Sequence, residues 1–486
     1  MMVKRILYIL MGLSVFISCT TKDPFRIVGE KKIFERKSTE RIKEIKVSRD
    51  LNNWVIHSAR TLKRHIEGEG YILEDKEYVV HNGLESNLFD HIILTGFSPN
   101  SKKIAYIAGA EGKWSIFVNG KEIKRYDALI PPPLFGRGRF TAISSLLFSP
   151  DSKKLAYVVS DRGKSFIVLN DKENKKYDAI LSHVFSPDSK KLAYAAKEEG
   201  KWVVCLDNTE GKRYDNISPP AFSPDGSKLA YIAQEGGQSF VVVNGEEGNR
   251  YDKIVALPVF SPDNRKLAFF AVNNKNIFVV VNNKEFLVDK GTPGSKLILF
   301  SNSLSFSPDS NELAYRAEYY GLKQEGHLFV ISDKRSVRHR NAYDFSFSPD
   351  NSRLAYVAKE GNNFYVVVNG REGKRYADIT SHLIFSQDNN KLSYVAHEDG
   401  NSFVVTNSQE SKKYDEITSS PRFCSNSKKI LFTAKKDGKM FVVVNDEEKK
   451  KYDAIIDAPQ FSPDCRKIGY YAREGDMYFR VIERVY

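Results

Sequence analysis

Apolar residues along this chain come in short runs separated by polar turns, and the same arrangement returns from one end to the other. Residues 221–254 carry the cleanest copy. Ala221-Phe222-Ser223 closes one apolar run, and Pro224-Asp225-Gly226-Ser227 is a turn: proline presets φ, aspartate can bond nearby backbone, and glycine tolerates positive φ. A second run follows at Lys228-Leu229-Ala230-Tyr231-Ile232-Ala233 and ends at Gln234-Glu235-Gly236-Gly237. Phe240-Val241-Val242-Val243 is rich in β-branched residues and too short for a helix. Asn244-Gly245 then turns the chain, and Arg250-Tyr251-Asp252-Lys253-Ile254 supplies a fourth, outer strand.

The phrase Phe-Ser-Pro-Asp followed by Leu-Ala-Tyr recurs ten times, with its phenylalanines at Phe97, Phe148, Phe185, Phe222, Phe260, Phe306, Phe347, Phe385, Phe423 and Phe461. Most steps between them are 37 to 41 residues, the length of a four-stranded unit, and the two longer steps read as loop insertions. Four short antiparallel strands per unit, stacked on like neighbours, predict an all-β chain folded as a β-propeller. The stretch 47–96 adds a worn eleventh unit: Trp54-Val55-Ile56 and Tyr78-Val79-Val80-His81-Asn82-Gly83 fall in register with the second and third strands. Leu51, Val55, Ala59, Leu62 and Ile66 also keep helical spacing, so a helix inserted there is the alternative.

These residues resemble the WD40-like or TolB-like propeller repeats of bacteria, and the resemblance covers nearly everything after about residue 46. Single copies drift, as at Gln387, at Cys424-Ser425-Asn426 and at Asn100. The resemblance implies a rigid interaction platform and implies no reaction. Ten or eleven blades exceed the roughly four to eight typical of one ring. Two rings are therefore expected, over 47–290 and 291–486, with the seam within 284–303, where 296–300 reads as an extra strand. One large closed ring is the alternative. The last unit lacks its outer strand, and Lys32-Ile33-Phe34-Glu35 could supply it.

The start of the chain carries an address. Lys4-Arg5 and the apolar stretch 6–17 precede Phe16-Ile17-Ser18-Cys19, which resembles a lipoprotein cleavage box. The expectation is a signal peptide over 1–18, lipidation at Cys19, a tether over 19–46, and an exported protein anchored to a bacterial envelope membrane by its lipid. Besides Cys19 there are Cys205, Cys424 and Cys465; they are read as unpaired, with a Cys424 to Cys465 bridge between neighbouring turns as the alternative.

Candidate chemistry is sparse. No Gly-x-Ser-x-Gly elbow and no His-Glu-x-x-His occurs, His397-Glu398 being followed by Asp399-Gly400, and His183 and His382 read as polar loop residues. No catalytic residue, metal or cofactor is expected. The Tyr-Asp pairs, such as Tyr177-Asp178, Tyr214-Asp215, Tyr251-Asp252 and Tyr452-Asp453, recur in nearly every unit and are read as structural, since an active site needs one constellation.

The formal charge of +13 changes the picture, because strand order predicts where it falls. Turns between first and second strands and between third and fourth strands share one face of the disc. That face is expected to gather Lys102-Lys103, Lys153-Lys154, Lys190-Lys191 and Lys428-Lys429 with Lys124-Arg125, Lys212-Arg213, Lys374-Arg375 and Lys412-Lys413. Its expected partners are envelope proteins or acidic envelope components, and not nucleic acid. The expected function is a non-catalytic docking platform, the alternative a propeller enzyme acting on carbohydrate or peptide through unrepeated loops. Those loops are 130–140, with Arg137 and Arg139, and 318–327, with Tyr319 and Tyr320.

Overall fold

The structure is a computed structural model that describes residues 27–37, 40–47, 53–66, 70–127, 143–161, 163–289, 296–299, 304–320, 325–332, 336–340 and 342–485. The expectations at Cys19, Arg137 and Arg139 lie outside these residues. Every regular element is a β-strand, and the strands form a β-propeller of antiparallel sheets. Sheet 1 is built from Glu40–Val47, Trp54–Ile66, Gly70–His81 and Leu84–Glu85. Sheets 2 to 6 occupy 91–127, 143–173, 179–214, 216–247 and 253–289, and sheets 7 to 10 occupy 296–340, 342–376, 378–410 and 416–448. Sheet 11 occupies 454–484 and takes its outer strand from Ile27–Glu35.

The helical alternative is overturned in sheet 1. Trp54–Ile66 is a strand paired along its whole length with Gly70–His81, and its first half also pairs with Glu40–Val47. Two ladders satisfy more backbone groups at 54–60 than an isolated turn of helix could, so pairing overrides the i, i+4 spacing of Val55, Ala59 and Leu62.

Most second strands carry the alanine of Leu-Ala-Tyr for a packing reason. Ala105, Ala156, Ala193, Ala230, Ala268, Ala314 and Ala355 are fully buried, and their methyl groups let sheets close on both sides. Apolar clusters join every sheet to its successor. Sheet 1 meets sheet 2 through Val55, Val79 and Tyr106, and sheet 2 meets sheet 3 through Trp114, Ile116 and Tyr157. The series continues through sheets 4 to 10, and sheet 10 meets sheet 11 through Val442, Tyr452 and Tyr470. Tyr471 of sheet 11 packs with Trp54, Ile56 and Tyr78 of sheet 1. At the expected seam the contact is of the same kind: Phe270 of sheet 6 meets Tyr315 of sheet 7 edge to face at 5.2 Å.

The strand at Lys296–Leu299 is not an extra one. It is the first half of a split inner strand whose second half is Ser305–Phe306, both pairing with Glu312–Tyr320. Sheets 5, 6, 9, 10 and 11 split their first strands in the same way. In sheets 5, 6, 10 and 11 the gap holds Pro220, Pro258, Pro421 or Pro459, residues that cannot donate to a ladder. Residues 312–320 and 325–332 continue as a long hairpin, so Tyr319 and Tyr320 sit on a strand, opposite Leu297 and Lys296, and not in a loop.

Closure uses both chain ends. Ile27 to Glu35 runs antiparallel to 477–484, with Arg36 bonding Asp476 at 2.6 Å beyond its end. Cys424 and Cys465 form a disulfide with Cα atoms 5.9 Å apart, tying the first turn of sheet 10 to that of sheet 11. The unpaired reading of these two cysteines is thereby corrected: turns of adjacent blades bring them within bonding reach. Cys205 is buried and free.

Candidate interaction surfaces

Most of the Phe-Ser-Pro-Asp turns are wired to the next blade. In sheet 3 the Ser149 hydroxyl donates to the Asp151 carboxylate at 2.6 Å and accepts from the Lys154 N–H at 2.9 Å. The Asp151 N–H donates across the interface to the Ser189 hydroxyl at 2.9 Å. The same link runs from Asn100 to Ser152, from Asp263 to Ser310 and from Asp388 to Ser427. Ser189 and its equivalents adopt positive φ, 63° in this case, which is why Ser, Asn or Gly recurs there. The Ser223 hydroxyl and the Ser227 N–H hold Asp225 down at about 2, so these turns stay anionic at any physiological pH.

The paired lysines of this face divide by role. Lys103 reaches the Ser152 carbonyl at 3.1 Å, Lys154 the Ser189 carbonyl at 2.9 Å, and Lys429 the Cys465 carbonyl at 3.0 Å, each bridging to the following sheet. Lys102, Lys153, Lys190 and Lys428, the first members of the pairs, project into solvent.

The second set of basic pairs is not on that face, contrary to expectation. Fourth strands run away from the turn that starts them. Arg213 therefore lies opposite Val203, and Tyr214 opposite Trp202, toward the hairpin between second and third strands. Arg125 and Arg375 are placed likewise, opposite Ser115 and Tyr365. Each pair is engaged by carboxylates. Lys124 meets Glu173 at 3.4 Å, Lys212 meets Glu247 at 2.7 Å and Lys374 meets Glu410 at 2.7 Å, always on the next sheet. Arg125 meets Glu122 at 2.7 Å, Arg213 meets Glu198 at 2.5 Å and Arg375 meets Glu360 at 2.6 Å.

The Tyr-Asp residues complete this outer latch. Tyr177 donates to Glu210, Tyr214 to Glu247 and Tyr376 to Glu410, at 3.1, 3.2 and 3.1 Å. Asp178 accepts from the Glu199 N–H at 2.8 Å and Asp453 from the Gly475 N–H at 2.6 Å, capping the hairpin of the following blade. Lys164 beside Asp178 and Lys439 beside Asp453 hold those carboxyls below their usual range. In sheet 11, whose outer strand is Ile27–Glu35, Glu30 takes the role that Glu210 has in sheet 4 and meets Lys450 of the preceding blade at 2.8 Å. Tyr343-Asp344 is an exception: it lies within the first strand of sheet 8.

One constellation escaped the sequence reading. In sheet 1, Glu77 and His57 are both buried, with His57 Nε2 2.8 Å from Glu77 Oε2. Lys43 pairs with the other carboxylate oxygen, and the Ile92 N–H of sheet 2 donates at 2.7 Å. Burial pushes the Glu77 carboxyl up, but these donors outweigh it and leave it at about 2. The available signal was positional: Glu77 stands where Ser165, Trp202 and Ser239 stand in sister blades, each opposite the residue aligned with Phe89. Donors from His57, Lys43 and Ile92 hold both of its oxygens, which makes it a seal between sheets 1 and 2.

His183 lies in the first strand of sheet 4, and burial lowers it to about 4. His382 is exposed, 3.2 Å from Asp344. His397 contacts Thr380 at 2.6 Å and Ser402 at 2.9 Å. No group of three or more metal-ligating side chains occurs among the described residues. A cavity of about 440 Å³ opens where the inner strands of sheets 11, 1 and 2 meet, lined by Ile45, Lys46, Phe97 and Asp457 among others. Asp457 is its one carboxylate, and that group accepts the Ala458 N–H at 2.7 Å. A second cavity of about 280 Å³ lies between sheets 5 and 6.

No family model matches the chain, and no curated protein matches it. Among solved structures it is similar to that of the eukaryotic initiation factor, at 12% identity over 71% of this chain and 91% of that one, with a TM-score of 0.36. The Dos1 propeller is 14% identical over 62% of this chain and 91% of its own, with a TM-score of 0.31. The β-propeller domain of the Trilobed protease from Pyrococcus furiosus is 12% identical over 65% and 96%, with a TM-score of 0.28. At such identities the likeness concerns the fold alone.

Proposed function

We propose that this chain is a non-catalytic lipoprotein of a bacterial envelope, anchored through Cys19, whose propeller is a docking platform. The observation that carries this reading is where the repeated polar residues go. Ser, Asp, the second Lys of each turn, and the Lys, Arg, Tyr and Asp of the outer strand are engaged in blade-to-blade latches. What is left for a partner is surface. The Phe-Ser-Pro-Asp repeat resembles bacterial TolB-like propellers, which implies the same role. A disulfide between sheets 10 and 11 is in keeping with export to an oxidising compartment.

We infer further that the eleven sheets close as one ring. Tyr471 packing on Trp54, and sheet 6 packing on sheet 7, support a single circuit without a break at the seam. Sheets about 10 Å apart would trace a circle roughly 35 Å across at mid-blade, which suits a broad platform. Fractionating cells that make the Cys19→Ser chain tests the anchor. After a high-salt wash that strips electrostatic binding, the variant should leave the membrane fraction for the soluble one; a variant retained as fully as the wild type would sink the lipoprotein reading.

A further inference from the structure

We propose that the disc face bearing the first turn of each blade rests on an anionic lipid surface. The inference deepens the reading above and rests on it for the tether. Three observations on different parts of the molecule converge. The first is charge. Lys102, Lys153, Lys428 and Arg466 occupy the same exposed turn position in sheets 2, 3, 10 and 11 and make no ion pair among the described residues. Lys190 of sheet 4 has only its own turn's Asp188 at 3.7 Å. At the same position sheet 5 has Ser227, sheet 6 has Arg265 with its own turn's Asp263 at 3.9 Å, and sheets 7, 8 and 9 have Asn311, Ser352 and Asn390, so five of these six cations lie on the arc from sheet 10 round to sheet 4.

The second is continuity and sign. Sheets 10 and 11 adjoin sheets 1 and 2 across the ring closure, which makes the arc unbroken apart from the first turn of sheet 1, outside the described residues. Within this arc the turn aspartate is replaced twice, by Asn100 and Asn426, removing the anions that neutralise the turn elsewhere.

The third is where the chain enters. Ile27 pairs with Glu483, at the end of the third strand, and Lys429 of the first turn of sheet 10 bonds the Val485 carbonyl at 2.8 Å. The closing strand therefore begins on the cationic face and ends at Glu35 beside Met477, on the other. Seven residues lie between Cys19 and Ile27, eight Cα-to-Cα steps with a reach of about 28 Å at full extension. An acyl chain at Cys19 would hold this face, and not its opposite, toward the bilayer. A basic patch on the side where the lipid enters adds electrostatic attraction to the same bilayer.

The test uses protein produced from residue 20 onward, which keeps every described strand and carries no lipid. It should sediment with vesicles of phosphatidylcholine containing about one-third phosphatidylglycerol and leave them as salt rises, while ignoring pure phosphatidylcholine. Reversing Lys102, Lys153 and Lys190 to Glu should weaken the partition coefficient roughly a hundredfold, each removed cation costing about a fivefold factor. Reversing Lys253, Lys275 and Lys436, exposed on the opposite face, should change it far less. Equal loss from both triple variants, binding to neutral vesicles, or binding to soluble heparin without binding to anionic vesicles would each overturn the proposal. Because the protein tested lacks the lipid, failure here leaves the Cys19 anchor standing, and a failed anchor leaves this result standing.

Discussion

His183 should make this protein acid-sensitive, and replacing it should remove that sensitivity. It occupies the position two residues before the turn phenylalanine, where Leu146, Leu304 and Leu383 or a proline stand in other blades. Desolvation lowers its imidazolium from the ordinary 6.5 to about 4, and the nearby Ala156 backbone offsets this only in part. With the folded-state value depressed, the unfolded chain takes up a proton that the folded protein refuses. Stability is therefore complete above about pH 6.5 and falls as the pH drops toward 4. The full difference of about 2.5 units corresponds to roughly 3 kcal/mol, of which about 2 kcal/mol is already lost at pH 5. The measurement is the urea midpoint of wild type and His183→Leu at about pH 7.5 and pH 5, read by tryptophan fluorescence. Other groups titrate in both proteins, so the change between pH values is compared, not the absolute midpoint. The leucine variant should lose about 2 kcal/mol less than wild type on acidification. A parallel fall in both proteins would refute the argument.

The two lysines of a turn should behave differently: Lys154→Met removes the bond to the Ser189 carbonyl and should cost about 1 kcal/mol, whereas Lys153→Met should fall within about 0.5 kcal/mol of wild type in the same urea titration. Reducing the Cys424–Cys465 bridge should lower stability by about 2–4 kcal/mol, and a thiol assay of the unreduced, denatured chain from residue 20 onward should find Cys205 alone. Deleting 27–35 should expose the edge of Met477–Arg484 and shift the protein from monomer toward aggregates in size-exclusion chromatography; an unchanged monomer would mean that the closing strand is dispensable.

How much of this was legible differs from element to element. Ser-Pro-Asp turns, Leu-Ala-Tyr strands and Asn-Gly hairpins are local signals, set by φ preferences and by runs only a few residues long, and each copy repeats the others. The helical spacing at 51–66 misled because it is equally local, while the ladders that decide that segment come from residues 40–47 and 70–81. The basic face was half legible. Turn lysines stay near their turn and project from it. The pairs at 124–125, 212–213 and 374–375 lie farther along a strand running back across the disc, and their partners, such as Glu247 and Glu410, belong to the next blade. Glu77 looked like any surface glutamate, because its burial depends on sheet 2 closing over it.

By itself, then, the sequence determined the repeating unit, its strand order and its wish for a closing strand, all properties of a few dozen consecutive residues. Tertiary structure alone decided which lysines remain available, that Glu30 completes a latch begun by Lys450 some four hundred residues away, and on which face the strand Ile27–Glu35 begins. Those outcomes depend on which blade sits beside which, and neighbouring blades are set by packing between whole sheets, not by any local run of residues.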